Sequence, residues 1–307
     1  MKKAIAFGIA ASCMFATTFV LNRSMNVSGG HYLWSASLRY LFAFPLFFAV
    51  LHRKKETAAV YEDIKSNPRA WMLWSTVGFG VFYVFLSFAS NFGESWLVAA
   101  SWQITIVMGV LLTPLWGKPI PKKNLIMSCV ILSGVVLLQF QNAHGIDIKQ
   151  MFLILVPIII AATAYPLGNR KMMVLCSGRL NTMQRIYGMI VCSLPVWITT
   201  AIAAFILSGP PSVSQMVQSA MVAIFCAFLG TIFFFRATNL VRDDMRKLAI
   251  VEATQSGEVV FTLIFGVLLL GDAPPSIRGI AGLVIIVGGM IVNSLISVSR
   301  KKEKAAE

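Results

Sequence analysis

A chain of 307 residues that is 57% hydrophobic and only 12% charged, with a mean hydropathy of +0.78, has more apolar surface than a soluble core of its size needs. That excludes an ordinary water-soluble enzyme and predicts an all-α integral membrane protein. The net charge of +14 would suit a nucleic-acid partner, but the basic residues lie in connecting loops, so no nucleic acid is expected.

In chain order, Lys2-Lys3 followed by an apolar run and Cys13 resembles a leader peptide, but the run continues to Leu21 and is read as a retained first span. Ten segments of spanning length follow one another, at about 4–22, 31–52, 70–90, 95–116, 124–141, 150–168, 185–207, 216–238, 247–270 and 276–298. The longest connection runs from His52 to Arg69, which leaves no room for a nucleotide-binding domain. No GxxxxGK[ST] motif is present, so direct ATP drive within this chain is excluded. Pro45, Pro157, Pro166 and Pro195 fall within spans and are expected to kink them, which makes the sixth segment a candidate gating helix. Gly279, Gly282, Gly288 and Gly289 suit close helix contacts in the tenth. Trp34, Trp71, Trp74, Trp96 and Trp116 lie near segment ends and read as interfacial anchors. Cys13, Cys129, Cys176, Cys192 and Cys226 read as small core residues. His31, His52 and His144 stand singly, so neither a metal nor another cofactor is expected.

The basic residues set an orientation. With the N-terminus in the cytoplasm, 21 of the 26 fall on the cytoplasmic side, so both termini are expected there. An internal repeat accompanies this. Gly117, Pro121 and Gly134 match Gly271, Pro275 and Gly288 at an offset of 154. Asn22-Arg23-Ser24-Met25 matches Asn169-Arg170-Lys171-Met172 at 147, and Ala89-Ser90-Asn91 matches Ala237-Thr238-Asn239 at 148. Five spans is an odd number, so the second unit runs through the membrane upside down. The loop after the first segment has one basic residue where its counterpart has four. The expected organisation is two inverted five-helix repeats, residues 1–145 and 146–299, with a basic cytoplasmic tail at 300–307. Inverted repeats are the architecture of alternating-access carriers, which hold substrate near mid-membrane.

Glu258 is the one carboxylate near the midplane of its segment. A charge at bilayer depth costs at least about 2.5 kcal/mol, so such a group marks an ion, proton or substrate path, or else a buried polar lock. Low-polarity surroundings favour a neutral carboxyl group, which makes Glu258 a candidate for proton coupling. Glu252 and Gln255 share its helical stripe and are candidates for one cavity wall, though Glu252 can equally pair with Lys247 or Arg246. Trp102 and Gln103, mid-way along the fourth segment, are candidates to hold a flat or cationic ligand, against the plainer reading of packed core. Arg39 and Arg236 also lie within spans; each is a candidate to counter a carboxylate, line a pore or reach toward an interface, with Glu94 a candidate partner for Arg39. Asp243-Asp244 reads as a solvated turn.

Ten spans in two inverted fives, together with Val259–Val292 (FGVLLLGDAPPSIRGIAGLVIIVGGMIV at its heart), resemble the drug/metabolite transporter superfamily, particularly its EamA-like members and multidrug-efflux branch. Gly271-Asp272 stands where that signature has Gly-Glu, and Gly117-Lys118 is the weaker counterpart in the first half. The resemblance implies export of drugs or metabolites across a bacterial cytoplasmic membrane, with a cavity lined by spans 1, 3, 4, 6, 8 and 9. The small multidrug-resistance relatives carry a glutamate in their first helix, and the first segment here has none. Either Glu258 takes that role or the coupling differs. The expected function is therefore a secondary exporter of small organic molecules, with proton antiport as its sharper form. The alternative is an exporter, coupled or uncoupled, of amino acids or other metabolites. The implied partners are a small-molecule substrate, the lipid bilayer and protons, in a monomer or homodimer. A lipid-modifying membrane enzyme would need clustered carboxylates or histidines at one interface; only Asp243-Asp244 comes near, so the chain is not expected to be an enzyme.

Overall fold

The computed structural model describes residues 1–117, 119–140, 148–176, 178–241 and 244–306, and among them every regular element is helical. In chain order these are α1 (Lys2–Val27), α2 (Tyr32–Arg53), α3 (Thr57–Ser66), α4 (Pro68–Ala89), α5 (Ser95–Leu111) and α6 (Lys122–Gln139). They continue with α7 (Ile148–Cys176), α8 (Thr182–Ser208), α9 (Val213–Asn239), α10 (Lys247–Leu270) and α11 (Ile277–Ala306). Among the described residues, nine of these are long and apolar enough to cross a bilayer, with α5 a shorter apolar tenth.

Local chemistry sets the ends. The His31 ring accepts the Leu33 N–H at the start of α2, and Ser212 accepts the Gln215 N–H at the start of α9. Asn181 and Gln184 form a reciprocal capping box at the start of α8. Gly117 and Gly271, both with φ of 67°, take the left-handed conformation that stops the chain after α5 and after α10.

Successive spans run in opposite directions. Residue 2, the end of α2, α3 and the start of α8 therefore share one face of the bundle, called here the near face. The α1–α2 turn, the start of α5 and the α10–α11 turn share the far face. The packing pairs α2 with α8, α6 with α11, α4 with α7, and α1 with both α9 and α10. In the α6–α11 seam a Cβ on Gly282 would meet the Gly134 carbonyl oxygen at 2.9 Å and Leu138 Cγ at 3.0 Å. Small residues allow this closeness, and dispersion holds it, because lipid gives no hydrophobic drive between helices. Gly288 differs from expectation: it faces open space, one position away from the contact that Gly289 makes with Ile131.

Several other expectations change. The His52–Arg69 connection holds a helix, α3, whose Val60 and Asp63 are buried under α4 and α8. Asp63 accepts from Trp71 Nε1 at 3.2 Å and from Arg179 Nε at 2.6 Å. The fourth segment ends early, because Pro114 and Gly117 convert its last residues to a 3-10 turn after Leu111. Trp71 and Trp96 are buried at 0% and 1% exposure instead of anchoring at an interface, since each N–H is drawn inward, to Asp63 and to the Ala273 carbonyl. Cys129 is exposed, so it is no core residue. Arg236 is exposed, with its guanidinium 6.0 Å above the Phe7 ring, so it is not buried as its position in a span suggested. Lys118, His144, Arg242, Asp243 and the boundary expected at 145/146 lie outside the described residues, as do the side chains of Arg246 and the 300–307 tail.

The seam yields a paired test. Gly282→Ala should lower thermal stability in detergent, by about 1–3 kcal/mol as for other overpacked contacts. Gly288→Ala should leave the melting temperature unchanged. Equal effects would mean that α6 and α11 do not meet along this line.

Candidate functional site

At mid-depth the helices turn an unusual set of side chains toward one another. Arg39 enters from α2 and is 8% exposed. Its Nη1 donates to Thr18 Oγ1 of α1 at 3.0 Å, and its Nη2 to Cys226 Sγ of α9 at 3.3 Å. Its guanidinium carbon stands 4.0 Å from the centroid of the Tyr83 ring and 5.5 Å from that of Tyr40, the geometry of a desolvated cation–π contact. Tyr83 in turn exchanges hydrogen bonds with the Asn22 amide on α1. Tyr40 lies flat on Trp197 of α8, with centroids 4.2 Å apart and planes within 6°. Arg39 Nε is buried and has no hydrogen-bond partner.

Facing this cation is Glu258 of α10, with Gln103 of α5 against its carboxylate and Arg39 within electrostatic reach. Arg39 and Glu258 do not touch: the ion pairs within 4.0 Å among the described residues leave out both. Glu258 is half-buried. Tyr165 of α7 is 38% exposed and lies within electrostatic reach of Glu258, Arg39, Cys226 and Arg185. Phe82 and Trp102 pack on it, with centroids 4.8 and 5.7 Å away. This mid-depth cluster, called the chamber here, sets one positive and one negative group among packed aromatic rings.

Backbone irregularity accompanies it. The α4 and α9 helices pass the chamber as π-helical stretches at Thr76–Val81 and Ala223–Gly230, the second containing Cys226. The α5 helix breaks at Gln103, and α10 narrows to a 3-10 turn at Thr254–Ser256 just before Glu258. Such steps re-aim single side chains without ending the helix.

Of the residues singled out from sequence, Glu258, Gln103, Trp102 and Arg39 are brought together. Gln255 is not with them: its amide donates to the Gly8 carbonyl on α1 and to Thr254 Oγ1. Glu252 is exposed toward the near face. The 3-10 turn lies between Glu252 and Glu258, so the three do not form one wall. Glu94 does not pair with Arg39; it sits at the far face as the N-cap residue of α5, away from the guanidinium. Sequence reasoning missed Thr18, Tyr40, Tyr83, Tyr165, Trp197 and Cys226. The available signal was the dipeptide Arg39-Tyr40 in an apolar run, since a buried guanidinium needs rings or acceptors about it.

At the far face a set of polar contacts joins the helices. Asp272 Oδ2 accepts from the Ser95 backbone N–H at 2.8 Å and the Ser95 hydroxyl at 2.5 Å, and Arg23 Nε lies 3.8 Å from Oδ1. Arg23 also donates to the Asn91 carbonyl, and Trp96 to that of Ala273. This latch joins α1, the start of α5 and the α10–α11 turn. A hollow of about 300 Å³ lies away from this cluster, between the near-face ends of α5 and α7, and is lined by Thr113, Trp116 and Arg170. Arg170 Nη1 donates there to the Gly109 carbonyl at 2.6 Å.

Stacked apolar helices around a charged, aromatic mid-depth chamber define a multi-pass membrane protein. Residues 2–299 match the family described as "EmrE: Putative multidrug resistance efflux transporter", and the chain belongs to that family. It is 43% identical to the uncharacterized protein YjlA of Bacillus subtilis (strain 168), over 99% of this chain and 98% of that one. It is 41% identical to an uncharacterized 42.1 kDa protein of Shouchella clausii, over 84% of this chain and 70% of the relative. A solved crystal structure superposes with a TM-score of 0.66 at 17% identity, covering 95% of this chain and 96% of its own, a likeness of fold alone.

The latch is testable by itself. Asp272→Asn should lower stability in detergent by roughly 2 kcal/mol, as loss of charge-assisted bonds does. Ser95→Ala should cost less, since the backbone N–H remains. A melting temperature unmoved by Asp272→Asn would remove the latch.

Proposed function

We propose that the protein is a secondary exporter of small organic molecules, working by alternating access around the Arg39–Glu258 chamber, with Glu258 as the proton-coupling carboxylate. The observation that carries this reading is the placement of Glu258: about 16 Å along α10 from Lys247 at ~1.5 Å per residue, half-buried, with Gln103 against its carboxylate and Arg39 within electrostatic reach. A carboxyl group there exchanges a proton for substrate when the site is exposed alternately to the two faces. Family membership supports efflux as the direction.

We read the chain as two inverted halves, residues 1–145 and 146–299, with both termini and the 300–307 tail in the cytoplasm of a bacterial cell. The pairing of helices supports this. Exchanging the two halves turns the α4–α7 contact into the α9–α1 contact and leaves the α2–α8 and α6–α11 contacts in place. The π-helical stretches of α4 and α9, and the left-handed Gly117 and Gly271, fall on matching positions. With the near face cytoplasmic, the closed Asp272 latch lies outside, and the conformation is the one that receives cargo from the cell. The partners are then a small-molecule substrate, protons and lipid.

Growth across a panel of toxic compounds, with and without overexpression, tests the function. Tolerance to at least one compound should rise, and Glu258→Gln should abolish the gain at equal protein level. In proteoliposomes, Glu258→Gln should remove flux driven by a pH gradient. Unchanged flux would end the coupling role of Glu258, and a panel with no protected compound would end the export reading.

A further inference from the structure

The hollow between the near-face ends of α5 and α7 takes no part in the chamber. At about 300 Å³ it stands at the small end of ligand sites. Arg170, half-buried, lines it with a guanidinium held in place by the Gly109 carbonyl, which accepts from Nη1 at 2.6 Å. Room for that approach exists because residue 109 is glycine: a Cβ there would stand 3.2 Å from Nη2. A bond to one neutral acceptor fixes the planar group and leaves its other N–H donors for a ligand. Lys171, next along the helix, brings a second charge to the same place. Its Nζ is 5.6 Å from the centroid of the Trp116 ring and 5.5 Å from that of Trp74, and the Arg170 guanidinium carbon is 5.5 Å from that of Trp116. Two cations thus converge on one indole, and among the described residues no carboxylate lies within 4.0 Å of either. Like charges brought this close repel each other, and a bound anion relieves the repulsion.

The first half of the chain shows what the near face lacks. Arg23 and Arg170 match at an offset of 147, and each lies within the last two turns of its helix, α1 or α7. Arg23 has Asp272 beside it, just after the left-handed Gly271. The position matched to Asp272, just after the left-handed Gly117, is Lys118 in the sequence. The near-face site therefore repeats the arginine of the latch and has a further basic residue where the latch has its carboxylate. The surroundings say where an anion would come from. Met173 and Val174 line the hollow at 54% and 58% exposure, and Leu111 and Leu115 are exposed on the adjoining end of α5. Trp116, also lining it, is half-buried and is the residue type that settles at headgroup level. A free phosphate gains nothing from such an apolar rim, whereas a phospholipid lays its acyl chains on it.

We propose that this hollow binds the headgroup of an anionic phospholipid, its phosphate held by Arg170 and Lys171 and its acyl chains lying on Met173 and Val174. The arginine supplies a flat fork matched to phosphate oxygens, and the lysine a point charge. The site is independent of the Glu258 chamber, so its failure would leave the exporter reading untouched.

The detergent-purified full chain can be titrated with phosphatidylglycerol, phosphatidylcholine or inorganic phosphate, with the shift in melting temperature reading binding. Phosphatidylglycerol should raise the melting temperature and saturate, while phosphatidylcholine and inorganic phosphate should not. Arg170→Gln should weaken phosphatidylglycerol by about tenfold or more, the scale of a lost charged hydrogen bond. Arg170→Lys should restore part of that loss. Lys171→Gln should also weaken the lipid, and it carries the test if Arg170→Gln does not fold. Lys54→Gln removes an exposed charge from the same face and should leave the titration unchanged. No shift with phosphatidylglycerol, or an equal shift with phosphatidylcholine, would overturn the site. An equal loss in Lys54→Gln and Arg170→Gln would reduce the effect to surface charge and overturn it too. Equal stabilisation by inorganic phosphate would overturn the lipid as its ligand.

Discussion

The structure depends on how a permanent positive charge is kept at the middle of a bundle of apolar helices. Placing an arginine at the centre of a spanning helix costs at least about 2.5–3.5 kcal/mol. The chain offsets this without a direct ion pair, by spreading the charge of Arg39 over Thr18, Cys226 and two phenol rings. A cation–π contact away from water is worth about 2 kcal/mol, and a hydrogen bond to a charged group about 1.5–3 kcal/mol, so these contacts suffice. Each of the groups is fixed by something else. Tyr83 is held by Asn22, Tyr40 by Trp197, and Cys226 by the π-helical stretch that turns it inward. The charge therefore ties α1, α2, α4, α8 and α9 together around one point.

The fifth and tenth helices then complete the chamber from the opposite side, and they also reach the far-face latch. The first part of α5, Ser95–Trp102, runs from Ser95, held by Asp272, to Trp102 and Gln103 at the chamber. Every residue of this stretch is buried, so it behaves as a short stiff rod with the latch at one end and the Glu258 contact at the other. The same relation holds along α10, whose far end leads through Gly271 into Asp272 and whose middle carries Glu258. Two adjacent elements thus connect the chamber to the latch, and their packed faces have few intermediate arrangements.

Much of this was legible in the sequence, for physical reasons. Apolar length at ~1.5 Å per residue marks spanning helices with little ambiguity, which is why segments such as 247–270 agree with the structure. A carboxylate and a guanidinium in such segments stand out because their burial is costly, and Glu258 and Arg39 were visible on that ground alone. Aromatic residues carry no comparable signal, since Tyr83 or Trp197 in an apolar run reads equally as packing. The stripe through Glu252, Gln255 and Glu258 failed because it assumed one regular helix, whereas the 3-10 turn at Thr254–Ser256 changes the register between its members. Trp71 and Trp96 were misread because position near a segment end says nothing about which way an indole N–H is drawn.

The separated charges also bear on how a chamber of this kind avoids trapping itself. Were Arg39 and Glu258 to close on each other, the pair would be hard to open, because each ion would have to be exposed again to a medium that solvates it poorly. Tethering the guanidinium to neutral partners keeps it from crossing to the carboxylate. Neutral tethers hold the guanidinium in position without cancelling its charge, as a second carboxylate would. Gln103 lies against the carboxylate instead, and the helix that carries Glu258 is irregular just before it.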